Sequence, residues 1–99
     1  MARFHVYANS EGGGLLLDVQ ANLLSHLNTC VVVPLLPLAQ APKPAMVLNP
    51  VFKIDGVDCM MATQFLAAVP RRVLGPEKAR LVDQADVVVS ALDCLFQGI

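Results

Sequence analysis

At 99 residues the chain has room for one compact domain, taken here as residues 1–99. Apolar residues make up 56% of it and charged ones 15%, which excludes a chain held open by self-repulsion. Seven basic and eight acidic residues leave a net charge of −1, with no basic block denser than Arg71-Arg72. Nothing therefore supports direct nucleic-acid binding, which draws on a basic face to release phosphate counterions. The longest apolar run, Cys30 to Ala39, is ten residues with two prolines, whereas a bilayer takes about 20. Arg3 and His5 are not followed by a signal-peptide apolar stretch, and Cys30, Cys59 and Cys94 show no C-x-x-C spacing. A cytoplasmic protein with reduced, buried thiols and no membrane partner is expected. A domain of this size buries about two-thirds of its unfolded surface, and this one has more apolar side chains than one small core hides. We expect a homodimer.

Phe4-His5-Val6-Tyr7 alternates and predicts a first strand, and Asn9 to Gly14, with three successive glycines, predicts a turn. Leu15 to Leu24 predicts a second strand, with Leu15, Leu17 and Val19 on one face and Leu16, Asp18 and Gln20 on the other. Thr29 to Pro34 carries Val31-Val32-Val33 and predicts a central strand buried on both faces, limited by Pro34 and Pro37. Ala39 to Ala45 is a proline-bearing connection. Val51 to Ile54, Asp55-Gly56 and Val57 to Met60 predict a hairpin with a type I′ turn. Thr63 to Val69 predicts one or two helical turns ended by Pro70.

Gly75-Pro76-Glu77 predicts the start of a long C-terminal helix. Leu81, Ala85, Val88, Leu92 and Leu95 line its apolar face, widened by Val82, Val89 and Phe96. From Glu77 to Phe96 it would run about 30 Å, with Gly98 at the C′ position. About five strands followed by one helix predict an α+β fold: a small antiparallel sheet or barrel with a terminal helix packed on it.

The catalytic inventory is small. His5 and His26 have no local spacing for a metal site, and Gly12-Gly13-Gly14 lacks the lysine of a phosphate loop. Asp55 and Asp58 bracket a turn, and Asp83 and Asp86 read as a solvated helix face. Cys59 reads as a core strand residue rather than a nucleophile beside His26, and Met60-Met61 as core rather than a groove that repacks around a peptide. No enzyme is expected, and no cofactor or metal. The ending Leu95-Phe96-Gln97-Gly98-Ile99 has two readings: Phe96 and Ile99 close the core and cap the helix, or they form a tip presented to a partner.

An ordered set of short matches resembles the CcdB family of toxins from bacterial toxin–antitoxin systems. It comprises Phe4-x-Val6-Tyr7, Val19-Gln20 within Leu17 to Gln20, Val33-Pro34-Leu35, and Pro50-Val51 before Ile54. It continues with Met61-x-Thr63, Ala67-x-Val69-Pro70 and Phe96-x-Gly98-Ile99. The resemblance implies a homodimer with a body related to SH3-like barrels and a long C-terminal helix. It also implies a toxin that binds the A subunit of DNA gyrase and traps the cleavage complex, and a cognate CcdA-like antitoxin that releases it. Operator DNA would be contacted only through that antitoxin.

On the matching positions, the resemblance implies a gyrase-binding surface of Leu23, Leu24, Asp93, Phe96, Gln97, Gly98 and Ile99. It implies an antitoxin-binding face around Val51, Ile54, Met61, Thr63 and Ala67, with the Gly12 to Gly14 turn beside it. Two positions depart from the family pattern: Gln97 stands where the family has Trp, and Asp93 where it has an uncharged amide. Glutamine gives little of the stacking area that makes an aromatic a binding hot spot. Two alternatives to the poison follow. One is a homologue that keeps the dimer and the antitoxin groove but has lost poisoning; the other is an endoribonuclease toxin of related fold.

Overall fold

Strand-forming residues dominate the first four-fifths of the chain. The structure, a computed structural model that describes residues 2–98, folds them into seven strands. These are β1 (His5–Asn9), β2 (Leu15–Asp18), β3 (Thr29–Pro37), β4 (Val51–Ile54), β5 (Val57–Met61), β6 (Ala67–Pro70) and β7 (Leu74–Arg80). One helix follows, α1 (Ala85–Gln97). The strands pair antiparallel in the order β4-β5-β3-β2-β1-β7, and β6 also pairs with β3. The architecture is the α+β arrangement of a curled sheet with a terminal helix.

Two apolar clusters occupy the two faces of this sheet, because neighbouring residues along a strand point opposite ways. Val6, Leu17, Val33, Leu35 and Met61 pack with Val88 and Ala91 of α1. Tyr7, Leu16, Cys30 and Val32 pack with Val73 and Leu74 on the other side. The face of β2 that carries Leu16 and Asp18 is therefore interior, not solvated as its polar residues suggest.

β3 runs past Pro34, and the pairing explains why. β6 pairs with β3 up to Val32 and β5 takes over at Leu35. Pro34 sits at the handover, where no ladder donor is required. Its carbonyl accepts from the Ala62 N–H at 2.9 Å.

Three elements differ from the sequence expectation. β2 stops at Asp18 rather than Leu24: the buried Asp18 carboxylate accepts the Gln20 N–H at 2.9 Å, an Asx turn that bends the chain out of the sheet. Thr63 to Val69 is a 3₁₀ turn (Thr63–Phe65) followed by β6, because β3 offers its Thr29 to Val32 edge for pairing.

The helix begins at Ala85, not Glu77, and its 13 residues span about 20 Å. Residues 74–80 instead close the sheet against β1, with register shifts on either side of the Tyr7–Glu77 pair that leave Pro76 in an irregular stretch. Gly75 lies so close to β1 that a Cβ there would stand 3.0 Å from the Ala8 carbonyl oxygen.

Two turns follow the expected chemistry. Asp55 and Gly56 both take positive φ in the β4–β5 hairpin. Gly98 adopts φ 72° and donates its N–H to the Cys94 carbonyl at 3.1 Å, closing α1.

The 45–50 segment has a different anchor, the buried Asn49. Its amide donates to the Met61 carbonyl at 3.0 Å and to Gln64 Oε1 at 2.7 Å, while its Oδ1 accepts the Ala45 N–H at 3.1 Å. Asn49→Ala strands these partners, so urea unfolding is expected to show a loss of about 1–3 kcal/mol. A loss below the bottom of that range would place the anchor elsewhere.

Candidate functional site

The gyrase-directed set divides between two elements. Leu23 and Leu24 lie on a 3₁₀ turn (Asn22–Leu24), not in a strand as the sequence suggests. Leu23 is 86% exposed, and every residue from Ala21 to Thr29 is exposed. The loop's own turns are closed by N–H bonds from Leu24 to Ala21, Ser25 to Asn22 and Leu27 to Leu24. Polar side chains hold it from outside. Gln20 donates to the Leu24 and Thr29 carbonyls and accepts the Val31 N–H. Asn22 Oδ1 accepts the Arg3 N–H at 2.8 Å.

The second element is the end of α1. Phe96 is 68% exposed, Gln97 and Gly98 are exposed, and Asp93 is half-buried. Ile99 lies outside the described residues. Of the two readings of this ending, the exposure of Phe96 goes against closure of the core within this chain. α1 is held by Val88 and Ala91 in the core cluster and lies against the 3₁₀ turn Thr63–Phe65, so the helix tip is positioned by different residues from those that hold the loop.

The antitoxin-directed set needs correction at three positions. Ile54, Met61 and Thr63 are buried, the first two in the main core cluster and Thr63 with its hydroxyl bonded to the Leu48 carbonyl. For Ile54 alternation decides this: in β4 the burial pattern turns Val51 and Lys53 outward and Phe52 and Ile54 inward. Val51 and Ala67 are exposed. Close by in the chain, Met46 (91% exposed) and Val47 are large apolar side chains in solvent that the sequence reading missed. The signal for them was an apolar pair directly after the proline-bearing connection. A cleft of about 500 Å³ opens elsewhere, between Pro37 to Ala39 and the Gly56 to Asp58 turn.

One cluster of titratable groups was hidden by the mistaken helix start. β7 pairs His5 with Arg80 and Tyr7 with Glu77. Glu77 Oε1 lies 2.8 Å from His5 Nδ1, and its Oε2 accepts from Arg80 Nε at 2.9 Å. The Arg80 bond first, then the His5 bond, holds the Glu77 carboxyl below its usual range. Among the described residues no group of three or more His, Cys, Asp or Glu is placed to hold a metal ion. No described helix is long and apolar enough to cross a membrane. Cys30 and Cys59 are buried and Cys94 is half-buried, all as free thiols. Burial, then the Asp18 carboxylate, pushes the Cys30 thiol up to about 12, which leaves it protonated and unreactive.

Comparison with known proteins adds three findings. A family model described as CcdB protein matches residues 3–98. No curated protein matches the sequence significantly. The fold is similar to that of an endoribonuclease in complex with its cognate antitoxin from Mycobacterial species. That likeness has a TM-score of 0.78 at 15% identity and covers 97% of this chain and 94% of that one. It is also similar to Mycobacterium tuberculosis toxin MazF-mt6, with a TM-score of 0.77 at 14% identity over 95% of this chain and 96% of that one. These neighbours overturn the expectation that the chain is no enzyme. The poverty of local catalytic motifs was the ground for it, yet a fold used by endoribonucleases brings side chains together across strands, as it does His5, Glu77 and Arg80.

The Glu77 carboxyl is expected to titrate, followed by NMR, below the ordinary glutamate range, and to move up more in Arg80→Ala than in His5→Ala. Because the folded pKa is depressed, the stability it contributes is present above the unfolded glutamate pKa. That stability is lost as pH falls through the folded value. An ordinary midpoint in the wild type would remove this ion-pair network from the account.

Proposed function

The chain belongs to the CcdB family, toxins of toxin–antitoxin systems, and from that premise we propose that it acts as a homodimer on DNA gyrase. The toxin binds the A subunit and traps the enzyme with its DNA cleaved, until a cognate CcdA-like antitoxin releases it. The observation that carries this reading is the exposure of Leu23 and Phe96. Both are large apolar side chains in solvent that the fold of their own subunit does not use, and both stand at positions that the family resemblance assigns to gyrase. Apolar anchors of this kind concentrate binding energy when a partner buries them. Gln97 beside Phe96 adds hydrogen-bonding capacity, and Leu23 and Phe96 carry the apolar contact.

The antitoxin meets the same subunit through Val51 and Ala67, and the exposed Met46 and Val47, close to Val51 in the chain, offer it further apolar contact. Ile54, Met61 and Thr63 support that face from beneath. Operator DNA is contacted through the antitoxin, consistent with a net charge of −1 on the toxin.

Purified protein added to gyrase, ATP and supercoiled plasmid is expected to yield linear DNA after the enzyme is denatured. Phe96→Ala is expected to weaken poisoning by about 30-fold or more, corresponding to roughly 2 kcal/mol or more at a hot spot. Gln97→Trp is expected to strengthen it. Absence of linear product from folded wild-type protein overturns the gyrase reading.

The likeness to endoribonucleases favours a second reading, RNA cleavage at the His5–Glu77–Arg80 cluster. A carboxylate bonded to Nδ1 orients an imidazole and keeps Nε2 for proton transfer. In such a cleavage the ribose 2′-oxygen attacks the adjacent phosphorus and its proton passes to Nε2. The P–O5′ bond breaks with solvent protonating the leaving oxygen, and Arg80 offsets the developing charge. Single-stranded RNA incubated with the protein is then expected to give 2′,3′-cyclic phosphate ends. His5→Ala should reduce the rate by 100-fold or more. Intact RNA with the wild type overturns this reading, and an undiminished His5→Ala rate removes His5 from it.

A further inference from the structure

The loop that carries Leu23 and Leu24 has a definite shape although none of its side chains is buried. Leu24 and Leu27, 39% and 38% exposed, are only partly covered, so apolar packing orders it weakly. A stretch of this kind is the least stable part of a fold and would sample many conformations if left to itself. Polar contacts supply much of its order, and one of them reaches it from a distant part of the chain.

That contact is Arg71. β6 pairs with the start of β3, with Thr29 opposite Pro70, and this register delivers the next residue, Arg71, to the loop. The Arg71 N–H donates to the Asn28 carbonyl at 2.9 Å. Its guanidinium then crosses the loop, Nε donating to the Leu27 carbonyl at 2.6 Å and Nη2 to the Leu24 carbonyl at 3.3 Å. Leu24 and Leu27 bracket the last turn of the loop, and the Leu27 N–H already donates to the Leu24 carbonyl. One planar fork therefore holds both ends of that turn, which a lysine ammonium, a single point donor, does not reproduce. Neighbouring Arg72 takes no part: it is directed at Glu11, 3.6 Å away.

We propose that Arg71 is a positioning residue for partner binding: its guanidinium braces the Ala21 to Thr29 loop in the conformation that presents Leu23 and Leu24. This rests on the gyrase reading above for the identity of the partner. The brace matters because a partner that needs one loop conformation binds with an apparent affinity reduced by the fraction of molecules that hold it. Without the guanidinium the loop keeps Gln20, the Asn22 contact to Arg3 and its own short turns, and loses its side-chain tie to the segment after β6.

Three proteins test this: the wild type, Arg71→Ala and Arg71→Lys. Hydrogen–deuterium exchange of the Leu24, Ser25 and Leu27 amides reports the loop, and binding to purified gyrase A subunit reports its use. Arg71→Ala is expected to speed those three amides about tenfold and to raise the gyrase Kd about tenfold. The unfolding midpoint and antitoxin binding should stay near wild type, which a purely structural role would not allow. Arg71→Lys is expected to fall between the two. Exchange within twofold of wild type in Arg71→Ala overturns the brace. Faster exchange with gyrase binding within twofold overturns its role in presentation. Failure of the wild type to bind gyrase overturns the partner reading and presentation to that partner, and the exchange measurement still decides the brace.

Discussion

The whole architecture depends on β3 being buried on both of its faces. Val33 and Leu35 face the cluster shared with α1, and Cys30 and Val32 face the cluster built with Tyr7 and Val73. A strand clothed on both sides must also be paired along both edges. β2 covers one edge from Leu35 back to Val32, and the other is shared between β6 and β5. Pro34 makes the sharing possible, since a residue without an N–H suits the gap between two partners. The curl of the sheet follows from this division. β6 and β5 leave β3 at different points, so the 3₁₀ turn Thr63–Phe65 between them must lie across the sheet, where α1 packs on it.

What the sequence made legible was whatever depends on neighbouring residues. Asp55-Gly56 specifies its own hairpin because the turn geometry is local, and Gly98 marks the helix end for the same reason. Three valines in succession were enough to identify the central strand. What failed were elements whose identity is settled by a distant partner. Leu74 to Arg80 carries a helix-like opening, Gly-Pro-Glu, but β1 lies alongside with an unpaired edge, and pairing there outweighs local preference. Ala67 to Pro70 became a strand for the same reason against β3. The mistaken helix start had a second consequence. It concealed the His5–Glu77–Arg80 cluster, which exists only because the β1–β7 register brings together residues more than 70 positions apart in the chain.

The candidate sites divide along the same line. Leu23 and Phe96 were identifiable by position, and their exposure is a property that short-range patterning does not supply. Ile54, Met61 and Thr63 lie in the face assigned to the antitoxin and are nevertheless interior. β4 presents only alternate positions, Val51 and Lys53, so a partner along that strand reads every second residue. Val51 meets that condition, and Ala67 is exposed together with its neighbour Ala68.

The two exposed groups are ordered by different means, and the difference bears on how each responds to change. Phe96 stands near the end of a 13-residue helix whose Val88 and Ala91 are locked into the core, so its position is inherited from apolar packing. Leu23 stands on a loop whose leucines are at most partly covered, so its position is inherited largely from hydrogen bonds to the loop's carbonyls. Apolar packing is insensitive to the chemistry of the solvent-facing side chains around it. A hydrogen-bonded loop is not, because water competes for every carbonyl that holds it and each bond is worth only about 1 kcal/mol net. Substitutions around α1 should therefore act mainly through what they present to a partner, as Gln97 and Asp93 do. Substitutions around the loop should act mainly through whether Leu23 and Leu24 are presented at all.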